Sequence, residues 1–187
     1  MKVLHILYSG LGGHGNVFFS MVDADEAHEF TYVGVFYGIE EMRDSYKQRA
    51  ESIDLPWYFV TKKGRVDIAP YGQLINIIKE QAPDVIFLHS SVYIFPAMRA
   101  VRQLSKKIKI VVRETQANHL KTKKEWLSLC IALLRANMVV FLSRQYRDTV
   151  KKRLPLFFRK SRTTVIPNGI DLKLFAPSSK SSSDVIR

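Results

Sequence analysis

The 187 residues suffice for one domain with a substantial core, and 47% hydrophobic with 11% aromatic content is ordinary for a globular protein. A lone Cys130 excludes an intrachain disulfide and an all-cysteine metal site, and it suits a reducing compartment. The formal charge of +12 is uneven: residues 99–162 hold 18 Lys or Arg against 3 Asp or Glu, so a basic face and an anionic partner are expected.

The amino terminus, Met-Lys-Val-Leu-His-Ile-Leu-Tyr, has too short an apolar run for a signal peptide and passes at once into glycines. Strands are predicted at Lys2–Tyr8, Phe30–Phe36, Trp57–Thr61, Asp84–His89, Lys109–Glu114, Met138–Leu142 and Thr163–Pro167. Most are continuous Val/Ile/Leu/Phe runs, as expected for strands covered on both faces. Helices are predicted between them at Asn16–Ala24, Glu40–Ala50, Tyr71–Gln81, Tyr93–Lys106, Lys121–Arg135 and Arg144–Leu154. The apolar stretch Trp126–Leu142 is broken by Arg135 and Asn137 and reads as a buried helix and strand rather than a bilayer span. Regular alternation of strand and helix predicts an α/β fold with a doubly wound, mainly parallel, Rossmann-like sheet. In such sheets ligands bind at the carboxyl ends of strands, which singles out Ser9–Gly15, His89–Ser91, Glu114–His119 and Ser143–Arg144.

Gly10-Leu11-Gly12-Gly13-His14-Gly15 follows the first strand and opens a helix, where glycines let backbone amides approach a phosphate. A nicotinamide-dependent oxidoreductase would also need an acid at the end of the second strand. Here that strand runs into Gly34-Val35-Phe36-Tyr37-Gly38, and Glu40 and Glu41 lie beyond a glycine. His89, Glu114 and His119 lack metal-ligand spacing, so no metal is expected. Ser90 and Ser91 are not in a nucleophile elbow.

Residues 163–177, Thr-Thr-Val-Ile-Pro-Asn-Gly-Ile-Asp-Leu-Lys-Leu-Phe-Ala-Pro, form a β-branched run, a Pro-Asn-Gly turn and an extended exit. Locally, Asn168-Gly169 also reads as a hairpin turn between Thr163–Ile166 and Ile170–Leu174. The stretch resembles the Pro-Asn-Gly-(Ile/Val)-Asp-x-x-x-Phe-x-Pro signature that closes the first domain of GT-B-fold, family-4 (group 1) glycosyltransferases. Gly12-Gly13 is similar to the family's glycine pair, and Pro83-Asp84-Val85-Ile86-Phe87-Leu88-His89 to its Pro-Asp-Val-hydrophobic-His segment.

The resemblance implies that residues 1–177 are the acceptor-side half of a two-domain enzyme, and that 178–187 are a linker and the start of a missing donor-binding domain. That domain usually carries Glu-x7-Glu, which is not found here. The implied activity is transfer of a sugar, with retention and no metal or other cofactor, from a nucleotide-diphosphate sugar to a glycan or lipid-linked acceptor, cytoplasmic or peripheral on the inner membrane face. The fragment alone would be inactive.

The resemblance further implies that His89, Glu114 and Gln116 position the acceptor, with Gln116 standing where many relatives have histidine. Gly12, Gly13, His14, Ser90, Asn118, His119 and Asn168 would contact substrates. His89 would project into the cleft. Gly15 stands where many relatives have glutamate, which suggests a loop more flexible or differently used. The plain alternative for Arg113 and Glu114 is a structural ion pair.

Arg144, Arg147, Lys151, Lys152, Arg153, Arg159 and Lys160, interleaved with Leu154, Leu156, Phe157 and Phe158, make a candidate face for an anionic membrane. The alternative is a solvated helix whose Leu and Phe are core. Nucleic acid has charge alone in its favour, with no recognised motif, and is not expected. Two other readings stand beside the transferase: a stand-alone Rossmann-like binding module acting through its basic face, and a nicotinamide-dependent oxidoreductase.

Overall fold

The computed structural model describes residues 1–10, 13–63, 69–104 and 107–169. Seven strands form one sheet in the order β3-β2-β1-β4-β5-β6-β7. They are β1 (Lys2–Tyr8), β2 (Thr31–Gly38), β3 (Trp57–Thr61), β4 (Val85–Leu88), β5 (Lys109–Glu114), β6 (Met138–Phe141) and β7 (Thr163–Val165). Every adjacent pair is parallel. Helices α1 (Gly13–Asp23), α2 (Asp44–Ser52), α3 (Ala69–Gln81), α4 (Ile94–Arg102), α5 (Lys123–Arg135) and α6 (Arg144–Arg153) connect them. The predicted doubly wound α/β class is therefore the observed one.

Parallel strands need crossovers, and right-handed crossovers send helices to opposite faces as the strand order reverses. Leu4 and Ile6 of β1 join the large core packed by α3 to α6, whereas Leu7 joins Phe18, Phe19, Phe36 and Tyr46 under α1 and α2. His5 shares Leu7's face by the two-residue period of a strand. Over β4 to β6 that face carries a groove of about 560 Å³ lined in part by Phe87, Val140 and Met21.

The boundaries that differ have local causes. Helix α2 begins at Asp44 rather than Glu40, because the Ser9 hydroxyl donates to the Glu40 carbonyl (2.7 Å) and the Tyr8 phenol engages the Glu40 side chain. Helix α5 begins at Lys123 rather than Lys121. Thr122 and Glu125 form a reciprocal capping box there, and the Lys121 side chain turns inward instead. The Ser90 hydroxyl caps a 3₁₀ turn, Ser91–Tyr93, that delays α4 to Ile94. Gly12, the arm Ile170–Leu174 that would complete a hairpin, and the linker 178–187 lie outside the described residues.

Candidate functional site

The strand order reverses between β1 and β4, where the two connections leave in opposite directions and open a crevice at the carboxyl edge. Three histidines converge there. His5 Nδ1 and His89 Nε2 are 3.1 Å apart, linking β1 to β4, and the His14 ring lies 5.7 Å from that of His89. The Thr115 hydroxyl has a single hydrogen and gives it to the His89 carbonyl (3.3 Å). It therefore accepts from His14 Nε2–H (3.0 Å), which leaves His14 Nδ1 a bare lone pair in the neutral ring.

His5 stacks on Phe87 and also meets Phe18. Burial brings its pKa down to about 3. Burial, then the Arg113 charge, lowers His14 to about 4; His89 is held well below the usual histidine range by burial first and then by His5, His14 and Arg113. All three rings are neutral at physiological pH. His5 Nε2, His89 Nδ1 and His14 Nδ1 have no hydrogen-bond partner among the described residues.

A second cluster lies one strand along. Successive residues of a strand face opposite ways, so Arg113 and Glu114 cannot pair with each other. Glu114 instead meets Lys121 Nζ at 3.2 Å, with both side chains shut away from solvent. The Tyr146 hydroxyl lies 3.3 Å from Glu114 Oε1 and donates to the Gln116 carbonyl, which also accepts from Lys121. Burial and the adjacent carboxylate raise the Tyr146 phenol well above its ordinary value. Arg113, on the histidine side, donates through one terminal nitrogen to Asn168 Oδ1. Its Nη1, like Glu114 Oε2 and Asn118 Oδ1, has no partner among the described residues. The Pro167-Asn168-Gly169 segment is thus tied to the end of β5 through Asn168.

Residues 11–174 match the family model for Glycosyltransferase Family 4. The chain belongs to that family. No protein of curated function matches it. Among solved structures, HepE from Anabaena in complex with UDP-glucose superposes with a TM-score of 0.70 at 16% identity, over 94% of this chain and 46% of that one. WaaB, the lipopolysaccharide outer core galactosyltransferase in its apo form, gives 0.65 at 13%, over 92% and 47%. A glycosyltransferase from Rickettsia africae gives 0.69 at 11%, over 97% and 46%. The fold is accordingly the Rossmann-like half of a GT-B architecture, and the family-4 chain spans about half the length of these neighbours.

The positions named from the family resemblance separate in the structure. His89 does not project into the cleft: it is fully buried, turned toward His5 and covered on the loop side by His14. Glu114 is likewise buried and held in its ion pair. Gln116 spends its amide on the Leu120 carbonyl (3.2 Å), and the Ser90 hydroxyl accepts from the Val92 amide (3.4 Å). His119 is exposed on the turn Asn118–Leu120 and joins neither cluster's hydrogen bonds among the described residues.

Gly15 is not a source of flexibility. It is buried on α1, and a Cβ there would stand 2.4 Å from the Tyr46 ring. A Cβ at Gly13 would meet nothing within 4 Å among the described residues, so their packing does not demand a glycine at the first turn of α1. His5, Lys121 and Tyr146 were not anticipated, and Arg113 and Thr115 were given no part in the site. A histidine in the middle of an apolar strand and an arginine near the end of another were the available signals.

The basic face differs from its sequence reading. Leu154, Phe157 and Phe158 are half-buried against the large core, which follows the alternative reading of them as core, whereas Leu156 is 91% exposed. Arg147 pairs with Asp148, and Arg153 lies 4.2 Å over the Trp126 ring. Arg144, Lys151, Lys152, Arg159 and Lys160 are exposed. Among the described residues no group of three His, Cys, Asp or Glu could hold a metal ion, and no helix is long and apolar enough to cross a membrane.

Proposed function

We propose that this chain is the acceptor-side half of a retaining glycosyltransferase that moves a sugar from a nucleotide-diphosphate sugar to a hydroxyl of a glycan or lipid-linked acceptor, of the cell-surface polysaccharide or lipopolysaccharide kind. One observation carries the reading beyond family membership: His14 Nδ1 and Arg113 Nη1, without a partner among the described residues, lie at the carboxyl edge of the sheet beside the point where the strand order reverses. Buried polar atoms without partners are costly to maintain, and their grouping at a ligand crevice is what a binding site requires.

Chemistry divides the crevice. Helix α1 begins at Gly13, and the first-turn amides that a helix leaves without internal partners suit the donor's diphosphate. The bare Nδ1 of neutral His14 repels a phosphate oxygen and accepts from a hydroxyl, which suits the sugar acceptor. Transfer breaks the bond from the anomeric carbon to the diphosphate and forms one to the acceptor oxygen, whose proton leaves on the diphosphate. These groups would act by position and by stabilising the departing charge, without metal.

The half-length match to HepE and WaaB supports a second, donor-binding domain in the complete protein, and the chain alone is then inactive. Sugar transfer from UDP-sugars should appear in a longer gene product and be absent from residues 1–187. Robust turnover by the 187-residue chain would refute the half-enzyme reading. Thermal stabilisation by a nicotinamide cofactor, with none by a nucleotide sugar, would favour the oxidoreductase instead. Against that alternative, Glu40, the acid nearest the end of β2, is engaged by Tyr8.

A further inference from the structure

Helices α3 and α4 pack side by side, and a groove of about 740 Å³ runs between them. Each helix contributes one stripe at the spacing i, i+4, i+7 that a helix presents along a single face. On α3 the stripe is Gly72, Asn76 and Lys79; on α4 it is Phe95, Arg99 and Arg102, and all six are exposed and line the groove. Ile75, Pro96 and Met98 supply apolar lining. Among the described residues no Asp or Glu lines the groove. Glu80, beside Lys79 in sequence, is engaged by the Tyr58 hydroxyl at 3.1 Å. Lys79, Arg99 and Arg102 enter no ion pair among the described residues.

We infer that this groove, rather than the α6 face, is where the protein rests on an anionic bilayer. The argument is complementarity of charge together with a free aromatic ring. Phe95 is 48% exposed at the start of α4, ahead of two unpaired arginines on the same stripe. That order lets a ring enter the acyl boundary while the cations stay among headgroup phosphates. On the α6 side the comparable rings are packed into the core, and two of the arginines are occupied by Asp148 and Trp126.

The first turns of α3 and α4 lie at the edge of the sheet that also carries the crevice. Tyr71 and Phe95, near the first turns of their helices, stand at the carboxyl edge of the sheet, so a membrane-held acceptor would lie beside the crevice. The inference does not depend on the transferase reading.

Co-sedimentation with phosphatidylcholine vesicles, with and without phosphatidylglycerol, tests it on the purified protein. Binding should require phosphatidylglycerol. Each basic side chain near an anionic leaflet raises partitioning about fivefold, so the triple variant Lys79→Gln/Arg99→Gln/Arg102→Gln should lose about a hundredfold. Phe95→Ser should weaken binding at unchanged charge. Lys151→Gln/Lys152→Gln/Lys160→Gln on the α6 side should lose much less. All these residues are exposed, and circular dichroism verifies that each variant is folded. Absence of binding to either vesicle would overturn the inference. So would equal losses from the two triple variants, which would mean bulk charge alone, or a loss confined to the α6 variant.

Discussion

Two polar clusters share the carboxyl edge of the sheet, and they solve the burial of titratable groups in opposite ways. At the β1–β4 crevice three histidines give up their charge: desolvation lowers His5 to about 3 and His14 to about 4, and each neutral ring keeps one nitrogen that nothing among the described residues satisfies. One strand along, Glu114 is held against Lys121 and beneath Tyr146. The first arrangement leaves valences unfilled, and of these rings only His14 is not fully buried. The second consumes most of them in holding β5, the following loop and α6 together. Perturbed groups at a strand edge therefore divide into a part that can bind and a part that braces it, and hydrogen-bond satisfaction tells them apart.

Breaking the brace should have the largest effect. Glu114→Gln or Lys121→Met leaves one buried charge without its partner and should cost about 3–5 kcal/mol of unfolding free energy in denaturant titration. Replacing both, as Glu114→Leu with Lys121→Met, should recover much of that loss. A double variant as unstable as the singles added together would show that the pair is not the unit argued here.

The histidine cluster should announce itself through pH. Above about pH 6.5 the imidazoles are neutral in folded and unfolded chains alike, and their contribution to stability is fully present. As pH falls below that value the unfolded chain takes up protons that the folded rings refuse. Stability then drops by up to about 1.4 kcal/mol per pH unit for each histidine. The loss continues toward the folded values of about 3 for His5 and about 4 for His14. Denaturant midpoints between about pH 7.5 and pH 4.5 give the slope. His5→Phe should flatten it, and an unchanged slope would remove His5 from the account.

The two glycines of α1 sharpen the same contrast on a smaller scale. Gly15→Ala pushes a methyl group into the Tyr46 ring and should cost about 1–3 kcal/mol. Gly13→Ala meets open space and should shift stability by no more than about 0.5 kcal/mol, while weakening sugar-nucleotide binding in the longer gene product by calorimetry. Equal stability losses at both positions would mean that Gly13, too, is there for packing.

The elements were legible because their signals are local. Continuous apolar runs such as Leu4–Leu7 and Val85–Leu88 announce strands covered on both faces, and the intervening helices follow from their periodicity. Misjudged edges lay where a distant side chain overrides the helical pattern, as Ser9 and Tyr8 do at Glu40. The candidate site was half legible. A position at a strand end is a matter of sequence, but the direction of its side chain is not: His89 and Glu114 end their strands as expected and then turn into the protein.

By itself, then, the sequence determined the alternation of strand and helix, the parallel sheet and the likeness to family-4 glycosyltransferases through Pro167-Asn168-Gly169. Each of these is carried by neighbours within a few positions along the chain. Only the tertiary structure decided that His5 meets His89 across 84 residues, that His14 meets Thr115 across 101, and that Lys121 rather than Arg113 answers Glu114. Such partners are set by strand order and by the two-residue pleat, which bring distant residues together and send adjacent ones apart. The basic surplus shows the same limit: its amount is written in the chain, but which cations lie beside a free aromatic ring is decided by which helix faces the core buries.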